Sequence, residues 1–269
     1  MLINTAILIL SCDKYADVWE PFFLFFKKYW SDCPFPVYLG TNQKQFSFYK
    51  VKQIFSNRNT TWSDELKVIL EQIPEKYIII ILEDYFIYES VNNDKISEII
   101  EVMKKNDAAY MKLGAFPAKY NELWPYTTLS GADDIGVIAK DSKYRLCLQT
   151  AIWNKDVLLS LLNPTENPWQ FEIEGSKRSN FIDNPFLCII ADPSKKVVHG
   201  PIQYYCTALS AGKWMRGAIR LCEKENIPID LTIRPVESLF EELKRKIYIG
   251  LPIPLRKMVD YTKYKVNIK

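Results

Sequence analysis

The sequence has no close cysteine pair. Its six cysteines (Cys12, Cys33, Cys147, Cys188, Cys206 and Cys222) are scattered without a C-x-x-C spacing, which excludes a zinc knuckle and a disulfide framework and fits reduced thiols in a cytoplasm. No apolar run reaches the roughly 18 residues of a membrane span. Met1–Thr5 has no basic region and the apolar stretch after it is only of strand length, so no secretory signal is expected. Net charge is only +3, from 35 basic against 32 acidic residues, which leaves no field strong enough to recruit nucleic acid. Internal repeats and low-complexity tracts are absent too.

At 48% hydrophobic and 25% charged, the chain has a globular composition and is long enough for a large core. Aromatic content of 14% suits packing and also flat apolar surfaces such as sugar rings. Charge is uneven. From Lys244 onward, Lys244, Arg245, Lys246, Arg256, Lys257, Lys263, Lys265 and Lys269 face a single Asp260, interleaved with Ile247, Ile249, Leu251, Ile253, Leu255 and Met258. That mixture fits an anionic membrane surface.

Tyr77-Ile78-Ile79-Ile80-Ile81-Leu82 is an unbroken apolar run that ends in Glu83-Asp84. A strand without polar alternation is covered on both faces, as in a parallel α/β sheet, and ligands bind at the carboxyl ends of such strands. Around it the periods alternate. Ala6–Leu10 reads as a strand; Trp19, Phe22, Phe23, Phe26 and Trp30 read as a helix with Asp17 as cap and Pro21 in its first turn; Pro36–Gly40 reads as a second strand, followed by a polar stretch to Thr61. Leu66, Ile69, Leu70 and Ile73 share a helix face, as do Ile96, Ile99, Ile100 and Met103, and Ala108–Leu113 can form another strand. The pattern predicts a mostly parallel sheet with helices on its faces. Later strands at Ile135–Ala139, Leu146–Ile152, Phe186–Ile190 and Lys196–Val198, with helices at Asn154–Leu162, Met215–Glu225 and Val236–Lys246, predict an antiparallel subsheet and C-terminal helices.

Carboxylates at Glu83 and Asp84 are hard ligands suited to Mg²⁺ or Mn²⁺ when phosphates complete the shell; the alternative is a strand cap or a lysine partner. A first strand ending at Asp13, the Trp62-Ser63-Asp64-x-Leu66 helix, the acidic strand end and Trp169-x-x-Glu172 together resemble a GT-A glycosyltransferase, particularly the bacterial enzymes of capsular or lipopolysaccharide assembly. The resemblance spans about residues 5–215. It implies a nucleotide-sugar donor over the first half (about 1–115) and an acceptor over the second (about 116–232) of one catalytic domain, 1–232, with a basic tail over 233–269. Where the family has Asp-x-Asp, this chain has Glu83-Asp84-Tyr85, so the third acid is missing.

The resemblance further implies donor contacts from Asp13 and Asp64, each equally a helix cap by residue type. It implies a metal held by Asp84 with Glu83, joined by the only histidine, His199, which is otherwise a turn residue. Glu172 is the candidate base for the acceptor hydroxyl, with Glu174 in reserve, because a carboxylate shielded by aromatics gains proton affinity; the alternative is a short helix begun by Asn167-Pro168 and stopped by Gly175. Gln149, Trp153 and Trp169 are candidate acceptor contacts, and Lys213 and Arg216 candidate partners of the departing diphosphate. The expected activity is inverting transfer from a nucleoside-diphosphate sugar to a glycan, lipid-linked at the inner membrane face. Two alternatives stay open: a nucleotidyltransferase, against which Ser11-Cys12-Asp13-Lys14 lacks a glycine-rich phosphate loop, and a noncatalytic nucleotide- or glycan-binding protein.

Overall fold

A computed structural model describes residues 4–114, 125–190 and 200–250. β1 (Thr5–Leu10) is buried at every position, and a 3-10 turn over Asp13–Tyr15 carries the chain into α1 (Ala16–Tyr29). Tyr15, not Asp17, is the cap residue; Asp17 lies inside the first turn, where its charge favours the positive helix end. Pro21 sits in the body of the helix rather than at its start. The apolar spacing works as expected: Trp19, Phe22, Phe23, Phe25 and Phe26 are all buried.

β2 (Val37–Thr41) is followed by β3 (Val51–Phe55), a strand inside the stretch read as polar loop. Only Ile54 of β3 is buried, so the strand has no apolar pattern; pairing with β2 at the sheet edge holds it instead. Next come α2 (Trp62–Glu71), β4 (Tyr77–Leu82), the two-residue β5 (Phe86–Ile87), α3 (Asn93–Lys105) and β6 (Tyr110–Lys112). Thr61 caps α2 and Asn92 caps α3, each side chain accepting a backbone N–H of the first turn.

The second half supplies β7 (Tyr126–Leu129), β8 (Ala132–Ile138), β9 (Ala151–Asn154), α4 (Lys155–Leu161), α5 (Pro168–Gln170), a π turn over Phe171–Gly175, α6 (Ser176–Ser179), β10 (Phe186–Ile189) and β11 (Tyr204–Tyr205). The strand expected over Leu146–Ile152 begins only at Ala151. The expected strand at Lys196–Val198 lies outside the described residues. Then follow β12 (Leu209–Ser210), β13 (Lys213–Trp214), α7 (Arg216–Glu225) and α8 (Leu239–Gly250). α8 starts three residues later than its apolar pattern suggested because Ser238 and Glu241 form a reciprocal cap, with Ser238 Oγ accepting from Glu241 N and Glu241 Oε2 from Ser238 N.

The main sheet has the order β3-β2-β1-β4-β9-β6-β10-β8-β7. β3, β2, β1 and β4 pair in parallel, as do β6 and β10, whereas β9 runs antiparallel between β4 and β6. Two small antiparallel ribbons, β5–β11 and β12–β13, are separate from it. This is the expected architecture: a mostly parallel α/β sheet flanked by helices, with minor antiparallel sheets. On one face Leu8, Ile78, Ile80, Tyr110, Trp153 and Phe186 pack with apolar residues of α2, α4 and the π turn. Ile7, Ile9, Ile79 and Ile81, which alternate to the other face, are equally buried, as a parallel sheet requires.

The chain divides into two compact units, Met1–Cys206 and Thr207–Lys269. The main sheet belongs to the first. In that unit Gly200 abuts the end of β6, where a Cβ would stand 1.9 Å from the Leu113 carbonyl oxygen. Asn92 N–H donates to the Pro201 carbonyl and Tyr88 N–H to that of Gln203, so the backbone has little freedom to retreat. Gly200→Ala is expected to cost about 1–3 kcal/mol by overpacking. Thermal melts check this, each kcal/mol lowering Tm by roughly 2–4 °C in a chain of this size.

Candidate active site at the carboxyl edge of the sheet

The inserted strand builds the site. Ala151 of β9 stands opposite Ile80 of β4 and Lys112 of β6, and Leu113 N–H donates to the Thr150 carbonyl. β9 therefore enters the sheet where β4 and β6 leave it, bringing Gln149 and Thr150 to the edge that carries Glu83, Asp84 and Gly114. Tyr85 N–H closes a turn on the Leu82 carbonyl, after which β5 pairs with β11. That pairing stacks Tyr85 on Tyr204, ring centres 4.8 Å apart. The Tyr85 hydroxyl donates to the Cys206 sulfur, and a Cβ on Gly114 would be 3.4 Å from the Tyr204 hydroxyl and 3.8 Å from Gln149 Oε1. Burial pushes both phenols well above their ordinary range, so they are neutral here.

Beneath this edge lies a polar cluster inside the core. Lys112 is buried and donates toward the Cys147 sulfur; burial lowers its pKa, opposed by the sulfurs of Cys147 and Cys188 and by Glu172. Tyr110 O–H reaches the Cys147 carbonyl at 3.3 Å. Glu172, in the π turn, is held by Leu148 N–H on its Oε1 at 2.7 Å. Burial raises its pKa, and the Leu148 N–H and the Lys112 charge only partly offset that. A carboxyl with raised proton affinity, fixed by a backbone donor and within electrostatic reach of a buried lysine, is suited to accept a proton.

Local sequence explains how Glu172 gets there. Asn167 and Gln170 form a capping box, with Pro168 at the first helical position. Gly175 does not stop the helix. The Phe171 ring lies 3.2 Å from where a Gly175 Cβ would be, so glycine makes room for Phe171 and the helix continues through the π turn into α6. Ser176 Oγ donates to the Glu172 carbonyl at 2.6 Å and accepts from Leu146 N–H, pinning the turn to the segment before β9. Such π turns recur at functional sites.

The remaining acids behave differently. Asp13 accepts from the backbone N–H groups of Asn42, Gln43 and Lys44 at 3.0–3.2 Å, clasping the loop after β2. Asp64 accepts from Arg58 at 2.9 Å and from Thr60 Oγ1 at 2.8 Å, which lowers its pKa. Both carboxylates are thus engaged by protein groups, Asp13 by the loop after β2 and Asp64 by the segment just before α2. Glu83 is buried; burial raises the pKa of the Cys12 thiol and the Glu83 charge adds to it, whereas the Asp84 charge adds to the burial that raises Tyr85 and Cys206. Adjacent in sequence, they have different neighbours. Among the described residues no group of three or more His, Cys, Asp or Glu is arranged to hold a metal. His199 lies outside those residues.

The acceptor candidates separate as well. Gln149 is at the edge, partly exposed. Trp153 is not available to a sugar: it is 1% exposed, with Tyr110 at 4.5 Å and Phe171 at 6.4 Å between ring centres. As the third residue of a central strand, it points into the core. Trp169 is 73% exposed on α5. Glu174, the reserve base, faces outward in an ion pair with Lys177 at 2.7 Å. In the second unit, Lys213 pairs with Glu241 at 2.7 Å, while Arg216 donates its Nε to the Glu237 carbonyl and its N–H to the Glu237 carboxylate.

Sequence reading missed Lys112, Cys147, Tyr204 and the role of Tyr85. One signal was present: a lone lysine inside the apolar segment Ala108–Leu113, which buries a charge if the segment is a central strand. Nothing in the sequence links that lysine to Glu172.

No protein-family model matches the chain, and no curated protein matches it. Among solved structures it is similar to S. aureus TarS residues 1–349, with 13% identity and a TM-score of 0.44 over 76% of this chain and 60% of that one. The same protein in complex with UDP-GlcNAc matches at 12% identity and 0.41, over 71% and 60%. CMP:2-keto-3-deoxy-manno-octonic acid synthetase complexed with CTP matches at 10% and 0.42, over 74% of this chain and 94% of that one. The chain spans 60% of the first of these relatives, and its fold assignment rests on the strand order and register above, not on these likenesses.

Proposed function

We propose that the chain is a glycosyltransferase that moves a sugar from a nucleoside-diphosphate sugar to a hydroxyl of a glycan acceptor. The setting of Glu172 carries this reading: a carboxyl of raised pKa, anchored by Leu148 N–H and opposed by buried Lys112, beside the carboxyl edge of an α/β sheet. In the proposed step Glu172 takes the proton of the acceptor hydroxyl as its oxygen attacks the anomeric carbon. The bond from that carbon to the diphosphate oxygen breaks on the opposite side, and the nucleoside diphosphate leaves with the electron pair. Inversion at carbon follows.

Within this reading Gln149 and Trp169 contact the acceptor, and Asp84 faces the donor from the end of β4. Asp84, with Glu83 behind it, would also hold a Mg²⁺ or Mn²⁺ ion, which would supply positive charge to offset that of the departing diphosphate. Asp13 orders the loop beside the donor rather than touching it.

The test is a thermal-shift screen of nucleoside diphosphates and their sugars, with and without Mn²⁺, followed by donor hydrolysis. Stabilisation by a nucleoside diphosphate and slow release of it from its sugar, abolished in Asp84→Asn, supports a transferase. Release of pyrophosphate from a nucleoside triphosphate plus a sugar phosphate would make it a nucleotidyltransferase. Stabilisation with no turnover of either kind would leave a binding protein.

A further inference from the structure

α8 is an amphipathic helix mounted inside out. Leu239, Phe240, Leu243 and Ile247 are 68%, 73%, 56% and 57% exposed. At about 100° per residue these four fall within roughly a third of the helix circumference, a single outward stripe. The charged side is the one that docks. Glu242 is buried and bound by Arg220 of α7 at 2.6 Å and by Lys246 at 2.8 Å, and Arg245 reaches Glu237 at 2.7 Å. Ion pairs thus tie the charged side of α8 to the second unit, while Leu239, Phe240, Leu243 and Ile247 face outward.

We propose that this stripe lies on an anionic lipid surface, with α8 parallel to the bilayer plane. Charge selects that occupant. Lys244 and Lys246 flank the stripe on opposite rims, Lys246 while also pairing with Glu242, whereas both acids of the helix, Glu241 and Glu242, are turned away, Glu241 matched by Lys213 and Glu242 by Arg220 as well. The outward face therefore presents apolar side chains framed by cations and no acid, the pattern of helices that bury their apolar side in the headgroup boundary. A second copy would bring two lysine rims together, which like charges oppose. The sequence following α8 adds Arg256, Lys257, Lys263, Lys265 and Lys269 against Asp260, strengthening attraction to negative lipid. Among the described residues no helix is long and apolar enough to cross a membrane. This inference does not depend on the transferase reading.

The test is co-sedimentation of the full chain with phosphatidylcholine vesicles with and without about 30% phosphatidylglycerol, which sets the surface charge. Binding should be at least about tenfold tighter to the anionic vesicles and should weaken as salt rises. Phe240→Ser with Ile247→Ser, both at exposed positions, should remove most of it while leaving the melting temperature unchanged; Lys244→Glu should weaken it several-fold. Equal binding by the double variant would overturn the proposal, since the basic segment beyond α8 would then suffice. Failure of the unaltered chain to bind anionic vesicles would overturn it too. So would a concentration-dependent dimer that the double variant dissolves, because the stripe would then belong to a second copy.

Discussion

Replacing Glu172 by glutamine is expected to slow sugar transfer by about 10²–10⁴-fold, the usual worth of a positioned general base. Glutamine keeps an oxygen for Leu148 N–H, so the π turn should survive, and donor-induced thermal stabilisation should persist in the variant. Loss of rate with retained donor binding supports the base; an unchanged rate removes it. The pH dependence sharpens the test. A base works when deprotonated, and burial raises this carboxyl above the ordinary glutamate value of about 4.3. The acidic limb of the rate profile should accordingly lie above that value. Lys112 acts in the opposite direction, lowering the Glu172 pKa, so Lys112→Met should move the limb to higher pH. A limb that stays in place would show that Lys112 is not coupled to the base. Linkage has a definite sign as well: because the fold favours the protonated form, this group's contribution to stability is present below about pH 4.3 and is lost as pH rises through the raised value. Glu172→Gln should abolish that dependence.

Trp153→Ala is expected to destabilise the protein by about 3–5 kcal/mol, as loss of a fully buried indole does. In a chain of this size that lowers Tm by roughly 6–20 °C, taking about 2–4 °C per kcal/mol. Trp169→Ala should leave Tm within a degree or so, since surface changes fall within about 0.5 kcal/mol, and should instead raise KM for the acceptor. Side-by-side melts and acceptor titrations read both effects. If Trp153→Ala melted normally and only weakened acceptor binding, the packing against Tyr110 and Phe171 would have been misjudged. If Trp169→Ala changed neither quantity, its exposed ring would have no part in the acceptor site.

Much of the architecture was legible in the sequence because burial on two faces leaves a mark. Ala6–Leu10 and Tyr77–Leu82 have no polar alternation, and both became central parallel strands. β3 left no such mark: an edge strand needs only backbone pairing, and just Ile54 of its residues is buried. The start of β9 was misread for the opposite reason, since Leu146–Thr150 is as apolar as a strand but is held by Tyr110, Ser176 and Glu172 instead of a ladder.

The site divided along the same line. Glu83-Asp84 at a strand end and Glu172 between aromatics could be picked out by residue type and local order. Which carboxylates were already occupied could not: Asp13 finds three backbone N–H groups some thirty residues away, and Trp153 and Trp169 look alike as letters. The sequence by itself determined the layered α/β sheet and its acidic edge, because periodicity and chain breaks are local properties. Only the tertiary structure decided that Lys112 comes within electrostatic reach of Glu172 and that α8 turns its apolar side outward. Those facts depend on which distant segments share a face, and therefore on desolvation and ion pairing that no local pattern encodes.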